Sequence, residues 1–390
     1  MKRRIAVFTG TRAEYGLLRT LVKRLDADER CELSLVVSGT HLSRVHGHTV
    51  DEILADGFTP ASCIDMELDG DSPSDICKAT GKLIAGIGKT FESLSPDLLV
   101  LLGDRYECLA AAVGAGISGV PIAHLHGGEI TEGAVDDAFR HAITKLSHLH
   151  FTSTEAYRQR VIQLGENPRH VFMVGALGVE NALSIPPLDE DDIRAFLKIP
   201  APRPYFLCTF HPVTLEHGNA LAQVKRLLSS FEDFPEHAVV FTGANADSEG
   251  DSINRLLTET VSRHPGQFRF FASLGVIRYL SAARYAAAVV GNSSSGIVEV
   301  PSLKTPVVDI GERQKGRIRS PAIIHCDTET EEITTALRRA LTTEQHDKAR
   351  NLHNPYEKPG VSASIAETIL SLPLAGILKK SFYNLPQSGE

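Results

Sequence analysis

Apolar residues in the first half of the chain gather in short, nearly continuous runs: Ile5–Thr9, Leu33–Val37, Leu98–Leu102, Pro121–His124, His150–Thr152 and Val171–Val174. Runs of that length and composition suit strands buried on both faces of a parallel sheet. Between them, apolar positions recur at helical spacing over Ala13–Leu25, Ser74–Leu94, Glu107–Ala115, Asp136–Leu146 and Glu155–Gln163. Strand and helix in alternation predict a doubly wound α/β domain. The rhythm breaks over Ser184–Pro204, which holds five prolines and the acidic cluster Asp189-Glu190-Asp191-Asp192, and reads as a linker with one short helix. It then restarts with strands at Tyr205–Thr209, Ala238–Thr242, Phe268–Phe271, Ala288–Val290 and Pro306–Val308, and helices at Ala220–Ser230, Ser252–Arg263, Gly275–Ala283 and Ile333–Ala340. The fold class expected is therefore α/β, with two Rossmann-like doubly wound domains over residues 1–183 and 205–360, joined by a linker at 184–204. Residues 361–390, with the helical stretch Val361–Leu372, can pack back on the N-terminal domain. Doubly wound sheets bind ligands at the carboxyl ends of their strands, so two such domains are expected to face a common crevice.

Length and composition narrow the picture. A chain of 390 residues is long for one core and suits two domains. With 42% hydrophobic and 23% charged residues it has ordinary globular composition. The net charge of -8, and the absence of any basic run longer than Lys2-Arg3-Arg4, argue against nucleic acid as a partner. An anion has to be held by a local site instead. The six cysteines (Cys31, Cys63, Cys77, Cys108, Cys208 and Cys326) form no Cys-x-x-Cys pair and read as buried thiols of a reducing compartment. The apolar run after the basic N-terminus is too short for a signal segment or a membrane span, so a cytoplasmic location without a membrane partner is expected.

Three tempting patterns fail on context. Gly114-Ala-Gly116-Ile-Ser-Gly119 has the dinucleotide spacing but follows a helix and precedes a strand, the reverse of what that motif requires. Gly86-Ile-Gly88-Lys89-Thr90 resembles the end of a phosphate-binding loop, yet Leu83 stands where its first glycine belongs. His41, His46 and His48 lack the acid and helical spacing of a zinc site, and no metal is expected there.

Five constellations remain, all at strand ends. Thr9–Gly16 (TGTRAEYG) opens the first helix, where backbone N–H groups and Arg12 suit an anion, or where a plain capping turn forms. Gly103-Asp104-Arg105-Tyr106-Glu107 follows the most apolar strand; Asp104 can move a proton and Arg105 hold a phosphate, or Asp104 caps the next helix. His124-Leu-His126-Gly-Gly-Glu129, with Asp136-Asp137 and Arg140-His141 beyond it, concentrates groups that exchange protons near neutral pH, or Asp136 caps the helix that begins there. His211, in Thr209-Phe210-His211-Pro212, leaves the first strand of the second domain. Gly291–Glu299 (GNSSSGIVE) offers hydroxyls and N–H groups to a diphosphate, with Glu299 suited to ribose hydroxyls, or forms a serine-rich helix cap; Arg313 follows the next strand.

Taken in order, TGTRAEYG, GDRYE, HGGE with DDAFRHAITKLSHLHF, TFHPVT, GNSSSGIVEV and GERQKGR make the chain similar to the hydrolysing UDP-N-acetylglucosamine 2-epimerases over about residues 4–365. These include bacterial sialic-acid-pathway enzymes and the epimerase half of the animal bifunctional enzyme. The resemblance implies the glycosyltransferase-B arrangement of two Rossmann-like domains. It also implies conversion of UDP-N-acetylglucosamine and water to N-acetylmannosamine and UDP, by anti elimination to a 2-acetamidoglucal and hydration of that intermediate. No metal or nicotinamide cofactor is implied; UDP is the product and ligand. Homodimers or homotetramers are expected. On matching positions it makes Asp104 and Asp136 the proton-transfer carboxylates, Arg140 a site arginine, Glu14 the acid after the Arg-Ala pair, and His211 the histidine near the leaving diphosphate. Arg12, Arg105, Asn245, Ser293, Ser294, Glu299 and Arg313 match UDP-binding positions. His126 stands where relatives carry glutamate, while Glu129 is retained, and some relatives with that variation act on UDP-diacetylbacillosamine for legionaminic acid synthesis. A glycosyltransferase of the same fold, a non-hydrolysing epimerase and a non-catalytic nucleotide-sugar sensor are the competing readings.

Overall fold

The computed structural model describes residues 2–43, 48–68, 70, 72–132, 134–213, 218–244 and 249–386. The chain divides into two compact units. The first contains residues 1–129, 136–177 and 358–390, and the second contains 130–135 and 178–357.

The first unit is built on seven parallel strands: β1 Arg3–Thr9, β2 Cys31–Ser38, β3 Ser62–Ile64, β4 Leu98–Leu102, β5 Ile122–Leu125, β6 Leu149–Thr152 and β7 Val171–Met173. Their order is β3-β2-β1-β4-β5-β6-β7. Alternate side chains leave the two faces of this sheet. Ile5, Val7, Leu98, Val100 and Leu102 enter one apolar cluster, and Ala6, Phe8, Leu99 and Leu101 enter the other. Burial on both faces is why the strands are continuously apolar. The C-terminal helix Val361–Ser371 packs in the first cluster against Leu18, Leu21 and Leu25. Its carboxyl end is held by Arg3, whose Nη1 donates to the Leu372 carbonyl at 2.9 Å.

The second unit repeats the plan with six parallel strands: β8 Tyr205–Thr209, β9 Ala238–Thr242, β10 Phe268–Phe271, β11 Ala288–Gly291, β12 Val307–Ile310 and β13 Ile323–Cys326, in the order β10-β9-β8-β11-β12-β13. Phe206, Cys208, Val239 and Phe241 fill one face, and Tyr205, Leu207, Ala238 and Val240 the other. The proline-rich stretch expected as a linker lies within this unit: its helix Glu190–Leu197 buries Ile193 and Leu197, with Ile199, in the same cluster as Tyr205 and Leu207.

The edge strands β3 and β13 are only three and four residues long and are interrupted by exposed or polar positions, so they carry no continuous apolar run. Helices Val50–Ala55, Leu177–Ser184 and Thr343–Asn351 are short, and the last is strongly polar. Cys63 and Cys77 are exposed, against the expectation for all six thiols; the other four are buried and none is paired. Gly114 and Gly116 lie inside helix Tyr106–Ile117, and Gly86 to Thr90 inside helix Pro73–Leu94, as their context required.

Candidate active site

In each sheet, the first strand of the unit lies beside the fourth, and the winding reverses between them. The crevice at such a reversal is where doubly wound sheets bind ligands. In the first unit β1 and β4 flank it, and in the second β8 and β11. The motifs after β1, β4, β8 and β11 therefore sit at the four strand ends that the topology favours.

After β1 the chain turns at Thr11, which caps helix Arg12–Asp26. Glu14 closes the capping box: its carboxylate accepts from the Gly10 N–H at 2.7 Å and the Thr11 N–H at 3.3 Å. It is buried, and burial together with the nearby Glu107 carboxylate pushes its pKa up to about 7. Arg12, at the first helical position, is partly buried, and desolvation lowers its pKa. His41 supports the turn from behind. Thr9 Oγ1 donates onward to the Thr11 carbonyl, so it accepts from His41 Nε2 at 3.0 Å, and Nδ1 accepts from Thr49 at 2.9 Å. Both ring nitrogens are thus engaged, and burial holds this histidine down at about 4. His46 lies outside the described residues.

After β4 comes Gly103-Asp104. The turn is gripped by the buried His124 of β5, whose Nε2 stands 2.7 Å from the Gly103 carbonyl and whose Nδ1 stands 3.1 Å from Thr144 Oγ1. A carbonyl only accepts, so Nε2 carries the proton and Nδ1 accepts from the threonine. Burial pushes this imidazole down to about 3, which keeps it neutral. Asp104, a quarter exposed, pairs with Arg140 Nη2. Arg140 is itself buried, and its Nη1 donates to Asp137 Oδ1 and to the Glu129 carbonyl, both at 2.9 Å. One planar fork therefore ties the β4 turn, the end of the His-Gly-Gly-Glu loop and the start of helix Asp136–Leu146. Asp136, half-buried, is the first residue of that helix.

The loop after β5 carries His126 and Glu129. His126 adopts φ 65°, a left-handed conformation that costs a non-glycine residue energy and is retained where the surroundings impose it. Its Nδ1 stands 3.3 Å from Glu129 Oε1, and its buried Nε2 has no hydrogen-bond partner among the described residues. Glu129 is buried and accepts from Ser153 Oγ at 2.9 Å. Gly128, at φ 77°, packs where a Cβ would lie 2.4 Å from the Tyr157 carbonyl oxygen, so this glycine serves close packing. Arg105 is turned toward the buried Glu107, with Nε 3.1 Å from its carboxylate, and lies over the Tyr106 ring.

In the second unit, Asn292 joins the ends of β8 and β11. Its amide oxygen accepts from the His211 N–H at 2.7 Å, and its amide nitrogen donates to the His211 carbonyl at 2.8 Å. This pair fixes the backbone of His211, a buried residue. Gly291, at φ 129°, is required there, because a Cβ would stand 1.9 Å from the Thr209 carbonyl oxygen. Ser293 caps the short helix Ser294–Val298, with Glu299 at its carboxyl end. After β12, Arg313 Nη1 and Gln314 Nε2 both donate to the Asn292 carbonyl, at 3.2 and 2.9 Å. His211, Ser293 and Arg313 are thus arranged around one asparagine. Asn245 lies outside the described residues.

The structure groups Asp104, Arg140 and Glu129 in one hydrogen-bonded cluster, with His126 joined through Glu129. Glu14 belongs to a separate buried cluster with Glu107 and Cys108, whose Sγ lies 3.7 Å from Glu14 Oε1. His124, Asp137 and Asn292 stand within the sequence constellations but are given no role of their own there. Asp137 was signalled by its spacing of three from Arg140 on one helix. His124 and Asn292 are polar residues at or just beyond the end of a buried strand, a position where a polar group has to find a partner.

Two doubly wound α/β units, with an acid-rich reversal in one and a hydroxyl-rich reversal in the other, define a class of ligand-binding enzymes built on paired Rossmann-like folds. The chain belongs to the UDP-N-acetylglucosamine 2-epimerase family, whose model matches residues 23–370. It is 37% identical to the GDP/UDP-N,N'-diacetylbacillosamine 2-epimerase (hydrolyzing) of Campylobacter jejuni, over 98% of this chain and 100% of that one. It is 35% identical to the polysialic acid biosynthesis protein P7 of Escherichia coli, over 99% and 98% of the two chains. The crystal structure of the UDP-GlcNAc 2-epimerase of Neisseria meningitidis bound to UDP-GlcNAc has the same fold, with TM-score 0.78 at 18% identity over 94% of this chain and 99% of that one. No helix among the described residues is long and apolar enough to cross a membrane.

Proposed function

We propose that the chain hydrolyses UDP-N-acetylglucosamine to N-acetylmannosamine and UDP, inverting carbon 2. The observation that carries this reading is the Asp104 carboxylate, presented at the end of β4 on a turn that His124 and the buried Arg140 hold from two sides. The hydrogen at C2 of a 2-acetamido sugar is barely acidic, so its removal needs a carboxylate fixed in position. In the proposed reaction a carboxylate, Asp104 or Asp136, takes that proton. The C2–H electrons form the C1–C2 double bond, and the C1–O bond breaks to release UDP. Water then adds across the glycal, hydroxyl to C1 and proton to C2 on the opposite face. Arg313, Ser293, Ser294 and the His211 turn are suited to the charge that builds on the leaving diphosphate, and Glu299 to ribose. Arg12, Arg105 and Asn245 are assigned to the same ligand, and Glu14 to supporting the β1 turn. The step consumes no metal or nicotinamide.

A second reading keeps the chemistry and changes the sugar to UDP-N,N'-diacetylbacillosamine. The Campylobacter relative's name and the histidine at 126 favour it. A cytoplasmic homo-oligomer that supplies an amino sugar to sialic or legionaminic acid synthesis fits either. Incubation with each UDP-sugar separately, with the freed sugar identified by proton NMR, decides between them. Release of a free 2-epimer with UDP, without an acceptor, supports the proposal. A UDP-linked epimer as sole product, or turnover only with an acceptor, refutes it.

A further inference from the structure

We propose that Glu312, His325 and Asp327, at the carboxyl ends of β12 and β13, form a binding site for a divalent transition metal, with zinc the best match. The ligand atoms of these three residues lie within 4.8 Å of one another, and no other group of three histidine, cysteine or acidic residues does so among the described residues. The histidine is prepared for the task. Its Nδ1 stands 3.2 Å from Oδ2 of the buried Asp309, while Nε2 faces Glu312 Oε1 at 3.8 Å. A carboxylate behind Nδ1 accepts that N–H, which leaves the Nε2 lone pair outward. This carboxylate–histidine pairing is what orients metal-binding imidazoles. Asp309 is itself fixed by Arg319 at 2.8 Å.

Charge and reach agree. Asp309, Glu312, Asp327 and Glu332, whose Oε2 accepts from the Asp327 N–H at 3.1 Å, bring four negative charges. Arg319 and Lys315 supply two positive ones, leaving an excess of two. Lys315 engages Glu312 Oε2, so the oxygen facing the imidazole stays available. That exposed pair is weak and does not compete with a metal bond. Ligand atoms around one zinc ion stand roughly 3.3 Å apart, given bonds of about 2.0–2.2 Å in a tetrahedral shell. Rotation of the two solvent-facing carboxylates closes the remaining gap. One imidazole with two carboxylates suits zinc, cobalt or nickel better than calcium, and a fourth position stays open for water.

The site has a consequence for its neighbours. Glu312 begins the 3-10 turn Glu312–Gln314, which carries Arg313 and Gln314 onto the Asn292 carbonyl. A metal there would tie this turn to β13 independently of the reaction proposed above.

The test uses the full chain stripped with a chelator and titrated with cobalt, then with zinc by calorimetry. One equivalent of cobalt per chain with the visible bands of a low-coordinate site, lost in His325→Ala and Asp327→Asn, is the expected result. Asp309→Asn should weaken binding about 10- to 100-fold. If Asp309→Asn fails to fold, the two solvent-facing variants decide alone. No saturable binding, or binding unchanged in His325→Ala, overturns the proposal.

Discussion

The imidazole of His124 holds the carbonyl of Gly103 at 2.7 Å, one residue before Asp104. The bond joins neighbouring strands at their carboxyl ends and sets the direction in which the Asp104 carboxylate leaves β4. His124 is a positioning residue in this scheme, and its loss should be felt in turnover. Displacing a reacting group by about 1 Å costs on the order of 100-fold in rate. His124→Phe should lower kcat by about that factor with KM and UDP affinity nearly unchanged, and His124→Gln, which can still donate to the carbonyl, should recover part of it. Steady-state kinetics with a UDP-binding titration checks both.

Asp104→Asn keeps the shape of the side chain and removes its charge. Turnover should fall by about 100- to 10,000-fold, the usual worth of a positioned proton-transfer group, while UDP binding persists. A variant that turns over at the parent rate would remove Asp104 from the reaction.

Arg140 is the buried hub of the first unit's cluster. Arg140→Met would leave Asp104 and Asp137 without their shared cation. Removing one partner of a buried pair costs about 3–5 kcal/mol; both acids are a quarter exposed and recover water, so about 1–3 kcal/mol is expected here. Arg140→Lys keeps the charge but cannot fork toward three acceptors, so it should lose less stability and still lose activity. Thermal melts beside kcat values separate the two effects.

Glu14 gives the fold a pH dependence of defined sign. Its pKa rises from an ordinary 4.5 to about 7 in the folded chain. Between those values the folded state holds a proton that the unfolded state has released. The associated stability is present below about pH 4.5 and is lost as pH rises through 7, by about 3 kcal/mol in total. Glu14→Gln removes this loss. Its melting temperature relative to the parent should therefore climb between pH 5 and pH 8; a constant difference would show that Glu14 titrates normally.

Much of this was readable from the residues. β4, as Leu98–Leu102, and β8, as Tyr205–Thr209, are apolar on both faces, and each was placed to the residue. The turns that follow them stood out because glycine and charge interrupt a buried run. Partners were harder to see. Nothing in sequence spacing says that Arg105 turns onto Glu107, or that Arg140 is buried and reaches back 36 residues to Asp104. The Arg140–Asp104 pairing is made by the sheet order, which brings β4 beside β5 and helix Asp136–Leu146 behind them. The strands β3 and β13 were missed because each is short and interrupted by a polar or exposed residue. His325 and Asp309, on neighbouring strands in register, became visible as a pair only once that edge was in place.

In the proposed reaction a carboxylate of the first unit removes the proton at C2 and UDP departs. Running the reaction in heavy water and examining the freed sugar by mass and NMR tests it most directly. Full deuterium at C2 of the released epimer, with unreacted substrate unlabelled early in the reaction, is the predicted result. A released epimer that keeps its original hydrogen at C2 would contradict it.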